Sequence, residues 1–331
     1  MSDHGVSRRS FLTGVGALAA AGVGAKTWYD LAEHGWKSEV FVAKAPGYDG
    51  DLERPIADGL QAIGRGRGWL AGKSVLLKPN LVEPSREAPQ INTHPAVVRA
   101  AAEVFRRLGA REVIVAEGQG HCRDTEYVLE QSGLGAMLRH ERLDFVDLNH
   151  DDVWTVPNVL RFTAMPRLTL PVALKRADVI VSMPKMKTHH WAGVTLSMKN
   201  LFGVMPGVAY GWPKNVLHHM GIVGSILDIN AAVRPHLAIV DGVVGMEGDG
   251  PIMGTPRHSG LLVIGSNFPA VDATAARLMS INPAKVEYLA AAAGRLGPIS
   301  GRNIAQRGEP LGPLTQRYAL LDHPAFAAMR A

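Results

Sequence analysis

The chain is poor in features that would each have indicated a class of protein. Cys122 is the single cysteine among 331 residues, so an intramolecular disulfide and the roughly four thiolate ligands of an iron–sulfur cluster are excluded. Aromatic residues make up only 6% of the chain, and it contains no block of like charges. A nucleic-acid interface needs a concentrated basic patch, so nucleic acid is not expected as a partner. The net charge of +5 is compatible with a small anionic ligand.

Residues 1–26 predict an export signal. Arg8 and Arg9 precede an apolar stretch from Val15 to Ala25, and a charged start followed by a short apolar core is typical of secretory signals. The segment SRRSFL resembles the twin-arginine type, which carries folded proteins across the bacterial inner membrane. The apolar stretch is shorter than the roughly 20 residues that span a bilayer, and no A-x-A cleavage site follows. We therefore expect a periplasmic protein whose partner during export is the twin-arginine translocon, with anchoring by an uncleaved signal as the alternative.

Segments of strand and helix character alternate along the rest of the chain. Pro95, next to Thr93 and His94, predicts the start of a helix that ends at Gly109, and further helices are predicted near residues 52–63, 124–131, 218–233, 269–281 and 284–293. Short runs rich in β-branched residues predict strands, namely EVFVA, SVLLKPN, REVIVAEGQG, DFVDL, DVIVSMP, HLAIVDG, GLLVIGS and RYALL. This alternation favours an α/β fold, a mostly parallel sheet flanked by helices. A β-rich insertion is expected near residues 161–171, and two lobes around a cleft are the alternative arrangement.

Polar and charged residues follow the ends of these predicted strands. Because the carboxyl ends of parallel strands meet at one edge of a sheet, where ligands of open α/β sheets bind, we expect their side chains to lie close together. The residues concerned are Lys78, Asn80, Glu117, His121, Lys185, Lys187, Asp241, Glu247 and Asp249.

The segment PKMKTHHWAG has the highest density of cationic groups. Lys185 and Lys187 alternate, so they share one face of an extended segment, and two ammonium groups on one face suit a phosphate or carboxylate. A solvated charged loop is the alternative interpretation. His189 and His190 are neighbours that point in different directions, so at most one of them is expected to face the site, and the same holds for the pair in NVLHHMG.

Candidate roles follow from these segments. The catalytic candidates are His121, Lys185, Lys187 and His189, and the substrate-binding candidates are Lys78, Asn80, Arg123, Lys199 and Asn200. His121 and Arg123 follow a glycine-rich turn before a predicted helix, and a helix N-terminus suits an anion. For Lys78 and Lys199 the alternative is an ordinary solvated lysine.

The glycine-rich segment DGVVGMEGDGPIMG predicts a cation site. Asp241, Glu247 and Asp249 lie within it, directly after a predicted strand, and carboxylates are ligands of oxygen-preferring cations. We therefore expect a divalent metal ion, although the spacing does not match the calcium loop of an EF-hand. The alternative is a tight turn whose carboxylates pair with nearby lysines.

Several segments together resemble a known family. LLKPNLV, NTHPAVV, GAREVIVAEG, ADVIVSMPKMKTH, GVTLSMKNLFG and DGVVGMEGDGP occur in the order typical of domain-of-unknown-function family 362 (DUF362). The resemblance implies a DUF362-like α/β domain over residues 70–296, after an entry segment at residues 27–69 and before a C-terminal tail at residues 297–331. Some relatives carry ferredoxin-like cysteine clusters, which this chain lacks, so no iron–sulfur cluster is expected.

A second, fainter similarity is to the lactate racemase family. The segment IVAEGQGHCRDT looks like that family's strand, glycine turn, His and Arg before a helix. The similarity implies that His121 corresponds to a catalytic imidazole. Racemases of that type use a nickel–pincer cofactor attached to a lysine, but the similarity does not extend to the other ligand positions.

The favoured function is an exported enzyme that acts on a small anionic substrate with a bound divalent metal, its reaction class left open. A non-catalytic binding protein for an anion or metal ion needs the same lysines and carboxylates. An assembly factor for another exported protein would instead need an exposed apolar patch, for which Trp191 and Trp212 are the nearest candidates.

Overall fold

All the predicted strands except RYALL pair side by side in one continuous sheet. The structure, a computed structural model, describes residues 32–120 and 124–330. Within them, ten strands form this sheet and two more form a small antiparallel sheet. In chain order the strands are β1 (Ser38–Lys44), β2 (Ser74–Pro79), β3 (Glu112–Glu117), β4 (Phe145–Asp147), β5 (Val153–Pro157), β6 (Arg167–Pro171), β7 (Val179–Met183), β8 (Lys185–His189), β9 (Gly193–Thr195), β10 (Leu237–Glu247), β11 (Thr255–Gly265) and β12 (Ile304–Gly308).

The large sheet has the order β12-β1-β11-β10-β7-β2-β3-β4, with β8 paired to β10 and β9 paired to β8. Strands β10, β7, β2, β3 and β4 are parallel to one another, whereas β11 lies antiparallel to β10 and β1. The predicted α/β class with a mostly parallel sheet is confirmed. The β-rich insertion is the antiparallel pair of β5 and β6.

Helices pack on both faces of the sheet. In the described part of the chain they are α1 (Glu53–Ala62), α2 (Arg67–Leu70), α3 (Pro95–Arg107), α4 (Thr125–Ser132), α5 (Leu134–Glu141), α6 (Val172–Arg176), α7 (Ser197–Asn200), α8 (Gly207–Tyr210), α9 (Asn215–His219), α10 (Ile222–Val233), α11 (Phe268–Leu278), α12 (Glu287–Ala292), α13 (Leu311–Leu314) and α14 (Pro324–Ala327).

Two apolar cores lie on the opposite faces of the sheet. Successive side chains of a strand point to opposite faces, so Leu76 and Val240 enter one core with helices α10 and α11. Their neighbours Leu77 and Ile239 enter the other core with helices α1 and α3. Both faces of the central strands are therefore buried, which explains why these strands read as continuous apolar runs in the sequence.

Local signals set the bounds of helix α3. The His94 ring Nδ1 accepts a hydrogen bond from the Ala96 amide at 3.2 Å, and Pro95 occupies the first turn, where a missing N–H leaves no helical hydrogen bond unmade. Gly109 has a φ of 92°, a left-handed conformation that favours glycine and stops the helix. The predicted start and stop agree with the structure.

The C-terminal region differs from the prediction. The segment RYALL is not a strand, because its apolar signal comes from one buried side chain: Tyr318 is fully buried and its hydroxyl lies 2.8 Å from that of Ser259. The strand of this region is β12, which pairs in parallel with β1. The helix predicted over residues 218–233 is also two helices, α9 and α10, separated at Gly221 with a φ of 99°.

The predicted export signal, residues 1–26, lies outside the described residues and stays a prediction. Across residues 32–120 and 124–330, no helix has the length and apolar character needed to cross a membrane.

Candidate active site

A cavity of about 380 Å³ opens at the edge where the parallel strands end. Residues from the ends of β2 and β3, from β8 and β9, and from α7 line it. Ligands of open α/β sheets bind at this position. The ionisable side chains of the lining are mostly basic: Lys78, Lys187, Lys199, Lys214, His189, His190 and His218, with Glu117 and Asp249 as the carboxylates.

A buried ion pair joins the ends of β2 and β3. The Lys78 Nζ lies 2.6 Å from Glu117 Oε2, and both side chains are shielded from solvent. Lys78 also donates to the Asn200 side-chain oxygen at 3.1 Å, which connects the pair to helix α7. Burial lowers the pKa of Lys78, and the Glu117 carboxylate opposes that shift.

The turn that follows helix α7 lies so close to this ion pair that it requires a glycine, Gly203. A Cβ at Gly203 would lie 2.0 Å from Glu117 Oε1 and 2.6 Å from Lys78 Nζ. Any side chain there would therefore displace the ion pair. The "KNLFG" part of the family motif combines the two features, since Asn200 contacts the pair and Gly203 leaves room for it.

Besides Lys214, two lysines of the cavity have no carboxylate partner among the described residues. Lys187 donates to the carbonyl oxygens of Ile91, at 2.8 Å, and Pro251, at 3.2 Å. Lys199 has no hydrogen-bond acceptor within the described part of the chain, and its Nζ lies 4.0 Å from the centre of the Phe202 ring. Each of these amines is available to a ligand that brings a negative charge.

The electrostatic environment disfavours protonation of both lysines. Burial lowers the pKa of Lys187 well below its usual value, and the neighbouring Lys185 and Lys199 lower it further. Burial, assisted by the charge of Lys78, lowers the pKa of Lys199 to about 7. A bound anion would reverse these shifts, because an opposite charge nearby favours the protonated amine.

Two histidines of the cavity have opposite tautomers. The His189 Nδ1 accepts hydrogen bonds from the amides of Trp191 and Ala192, at 3.0 and 3.2 Å, so a neutral ring carries its proton on Nε2. The His218 Nδ1 lies 3.0 Å from the Lys214 carbonyl oxygen, which only accepts, so its Nε2 is free of a proton. Burial lowers the pKa of both rings, which keeps them neutral. His189 is thus a donor and His218 an acceptor.

Two polar side-chain atoms of the lining make no hydrogen bond with the described residues. The Thr195 hydroxyl and the Asn80 side-chain oxygen are buried without a hydrogen bond from the described residues, and Thr195 is only 4% exposed. Buried polar atoms are nearly always hydrogen-bonded, so both indicate a bound ligand or water.

Lys214 is held by the side chain of Asn149 and the carbonyl of Met205, and burial lowers its pKa to about 8.

Two of the predicted site residues lie behind the cavity and not on its surface. The Lys185 Nζ is 2.6 Å from Asp241 Oδ2 and 2.8 Å from the Tyr48 hydroxyl. Asp241 also accepts from the His94 amide at 3.0 Å. Lys185 and Asp241 are fully buried, so they tie β8 to β10 and are not positioned to contact a ligand in the cavity.

The three predicted metal ligands are not grouped by the structure. Asp241 pairs with Lys185, Glu247 accepts from the Ala319 amide at 2.8 Å, and Asp249 lies 3.5 Å from the His190 Nδ1. Over residues 32–120 and 124–330, no group of three His, Cys, Asp or Glu side chains could hold a metal ion. Of the three carboxylates, Asp241 alone pairs with a lysine of the described residues, as the alternative interpretation expected.

The structure collects most of the other predicted residues. Lys78, Asn80, Lys187, His189, Lys199 and Asn200 all line the cavity, whereas the predicted His121 and Arg123 lie outside the described residues. The sequence analysis did not single out Lys214 or Thr195, which also line the cavity. Neither follows a predicted strand and each stands alone among uncharged residues, so the sequence carries no signal for them.

The chain belongs to the family described as Domain of unknown function (DUF362), which matches residues 75–277. A curated relative, a thylakoid-associated protein of Synechocystis sp., is 30% identical over 231 residues, covering 69% of this chain and 70% of the relative. The family predicted from the motifs is therefore confirmed.

Solved structures with a similar arrangement are distant. The lactate racemase apoprotein of Thermoanaerobacterium thermosaccharolyticum has a TM-score of 0.39 at 12% identity, over 68% of this chain and 54% of that chain. A protein of Thermotoga maritima has a TM-score of 0.34 at 14% identity, over 69% of this chain and 59% of that chain. Neither carries a residue role or a function to this chain.

The substitution Lys185→Met tests the structural role of the pair behind the cavity. We expect it to lower the free energy of unfolding by about 3–5 kcal/mol, because the Asp241 carboxylate would remain buried without its counter-ion. Urea unfolding followed by circular dichroism measures the change.

Lys44→Met is the matched control. Lys44 forms an exposed pair with Glu309, Nζ to Oε2 3.1 Å, and its loss should change the free energy of unfolding by no more than about 1 kcal/mol. If Lys185→Met left stability unchanged and abolished anion binding, Lys185 would belong to the ligand site after all.

Proposed function

We propose that the cavity binds a small anion carrying a carboxylate or phosphate group, and that the protein is an enzyme acting on that anion. The observation that carries the proposal is a set of three lysines without a counter-ion among the described residues, on the wall of a cavity at the ligand-binding edge of the sheet. Lys187 and Lys214 are buried and Lys199 is half-buried. Burying an ammonium group without a counter-ion is unfavourable. A bound anion would supply the missing negative charge.

The charge balance of the lining supports an anion. The lining contains four lysines and two carboxylates. One of the carboxylates, Glu117, is paired with Lys78. The second, Asp249, lies beside His190. An anion that entered would meet an excess of cationic and N–H donor groups.

The size and shape of the site favour a small molecule. A cavity of about 380 Å³ lies within the range of small-molecule sites, roughly 300–1,000 Å³. Apolar side chains line its mouth, including Trp191 and Met253, which are 65% and 78% exposed. The ligand therefore combines an anionic group, held by the lysines, with a part that tolerates apolar neighbours.

An enzymatic role is supported by the two neutral histidines. His189 offers an N–H donor and His218 an unprotonated nitrogen, so a donor and a general base lie on the same cavity. A binding protein would need the lysines but no such pair. Substituting His218 by Asn would abolish turnover and spare affinity in an enzyme.

No step is assigned to a metal ion. The carboxylates predicted as its ligands are engaged elsewhere, Asp241 with Lys185 and Glu247 with the Ala319 amide. The residues of this cavity are positioned to bind and orient an anion, and a divalent metal ion remains a prediction without a set of ligands.

The substitution Lys187→Met tests the anion site. Binding of inorganic phosphate or pyruvate, measured by titration calorimetry, should weaken roughly ten- to a hundredfold, since a hydrogen bond to a charged group contributes about 1.5–3 kcal/mol. The melting temperature should change little, because the substitution removes a buried amine without a counter-ion together with its hydrogen bonds to the carbonyls of Ile91 and Pro251.

Lys44→Met serves as the control for this experiment as well, because Lys44 lies on strand β1 and is exposed. It should bind both anions like the unsubstituted protein. Equal affinities of the unsubstituted protein and Lys187→Met would remove the main support for the proposal.

Anion binding should also be accompanied by proton uptake at pH 8. The unliganded Lys199 has a pKa of about 7, so it is mostly neutral at pH 8, and the negative charge of the ligand raises that pKa. Calorimetry in two buffers of different ionisation enthalpy measures the uptake, which should diminish toward pH 6, where Lys199 is already protonated.

Lys199→Arg is the matched variant, because a guanidinium stays protonated throughout this range. It should bind the anion with less proton uptake. An uptake that is the same in both proteins would place the titrating group elsewhere.

We also propose that the protein is exported through the twin-arginine pathway. Arg8 and Arg9 before a short apolar stretch support this proposal, and a relative is thylakoid-associated. In a bacterial host with that pathway, the full chain should appear in the periplasmic fraction. The double substitution Arg8→Lys and Arg9→Lys should hold it in the cytoplasm, and an unchanged distribution would contradict the proposal.

A further inference from the structure

The amines of the cavity differ in how far they are already engaged. Lys78 is paired with Glu117, Lys187 donates to two carbonyl oxygens, and Lys214 is held by Asn149 and Met205. The Lys199 amine has no hydrogen-bond acceptor in the described part of the chain and contacts the face of the Phe202 ring. It is therefore the amine whose lone pair is most available.

Groups suited to carbonyl chemistry surround this amine. His189, whose Nε2 carries a proton, and His218, whose Nε2 does not, both line the cavity with Lys199. The centre of the His218 ring lies 5.4 Å from that of Phe202, the ring whose face the Lys199 amine contacts. Burial and the charge of Lys199 both lower the pKa of His189 and of His218. The Thr195 hydroxyl, buried and without a partner, lines the same cavity.

We propose that Lys199 is a nucleophile that forms an imine with the carbonyl group of an anionic substrate, such as a 2-oxo acid or an aldehyde bearing a phosphate. This inference rests on the proposed function, because the remaining lysines would hold the anionic group. It adds the chemical class of the substrate and a covalent step at a named atom.

The step balances without an oxidant or reductant. The Lys199 nitrogen attacks the carbonyl carbon, a C–N bond forms, and the carbonyl electron pair moves to oxygen, which the His189 N–H stabilises as a hydrogen-bond donor. The nitrogen gives up two protons, the oxygen takes up two, and the C–O bond breaks to release water. His218 can accept a proton from the nitrogen and return it to the leaving oxygen.

The acid–base state of Lys199 suits this step. Only a neutral amine is nucleophilic, so a Lys199 that a bound anion has protonated must first lose that proton, for which the unprotonated His218 nitrogen is an acceptor. Lysines are activated by desolvation or by a neighbouring cation. Both conditions hold here, and the pKa of Lys199 falls to about 7. The charged and titratable groups that face it are Lys78 from β2, Lys187 and His189 from β8, and His218 from α9.

Reductive trapping tests the inference on the full-length protein. The protein is incubated with sodium cyanoborohydride and either pyruvate, which pairs a carbonyl with a carboxylate, or pyridoxal 5′-phosphate, which pairs an aldehyde with a phosphate. Intact mass and peptide mapping locate the adduct, and adducts at the exposed Lys44 provide the internal reference. Lactate, which has the carboxylate of pyruvate and no carbonyl, is the negative control.

We expect a single dominant adduct on Lys199 with at least one probe. Its ratio to the Lys44 adduct should increase as the pH rises through about 7, because Lys199 loses its proton over this range and only the neutral amine attacks a carbonyl. Lys199→Arg should lose the adduct and still bind phosphate in calorimetry, which separates the nucleophile from the charge.

Other outcomes overturn the inference in distinguishable ways. A dominant adduct on Lys187 or Lys214 would show that Lys199 is not the nucleophile. If the unsubstituted protein bound phosphate or pyruvate but trapped neither probe, the imine would be excluded and the anion site would stand. If it bound no anion and trapped neither probe, the proposed function would fail together with the imine.

Discussion

The ion pair between Lys78 and Glu117 is the interaction on which the cavity depends. It lies where β2 and β3 end, with 2.6 Å between nitrogen and oxygen and both side chains buried. Each charge alone would be costly to bury, but Glu117 also accepts from the amides of Leu81 and Gly118, and Lys78 donates to Asn200. Loss of either charge would therefore release the strand ends, the loop after β2 and helix α7 together.

The lysines that follow the central strands look equivalent in the sequence and have different roles in the structure. Lys78 is neutralised by a carboxylate 39 positions away, and Lys185 by one 56 positions away, whereas Lys187 and Lys199 find none among the described residues. Sequence reasoning could place Lys78, Lys185 and Lys187 near one sheet edge, because the end of a strand is a local feature. It could not say which ones are paired, because pairing is decided by register between distant strands.

The same distinction, between signals that act on neighbouring residues and contacts between distant ones, explains which other predictions from the sequence were right and which were wrong. Helix α3 was predictable because His94, Pro95 and Gly109 act on their own neighbours. RYALL was misread because an apolar residue in a short segment does not reveal whether it pairs in a sheet or, like Tyr318, fills a core. Lys214 reaches the cavity through tertiary packing alone, so nothing near it in the sequence marks it.

Helix α7 explains how an unpaired amine can still be held in position. A single turn is unstable alone, but the Asp272 carboxylate of α11 accepts from the amides of Ser197 and Met198, at 2.7 and 3.0 Å. The helix is thus fixed from its buried side, and Lys199 needs no salt bridge to orient it. An anion bound as proposed would remove the desolvation penalty of these amines, so the liganded protein would be more stable than the empty one. On this proposal the unliganded cavity gives up some folding stability, and binding the anion recovers it.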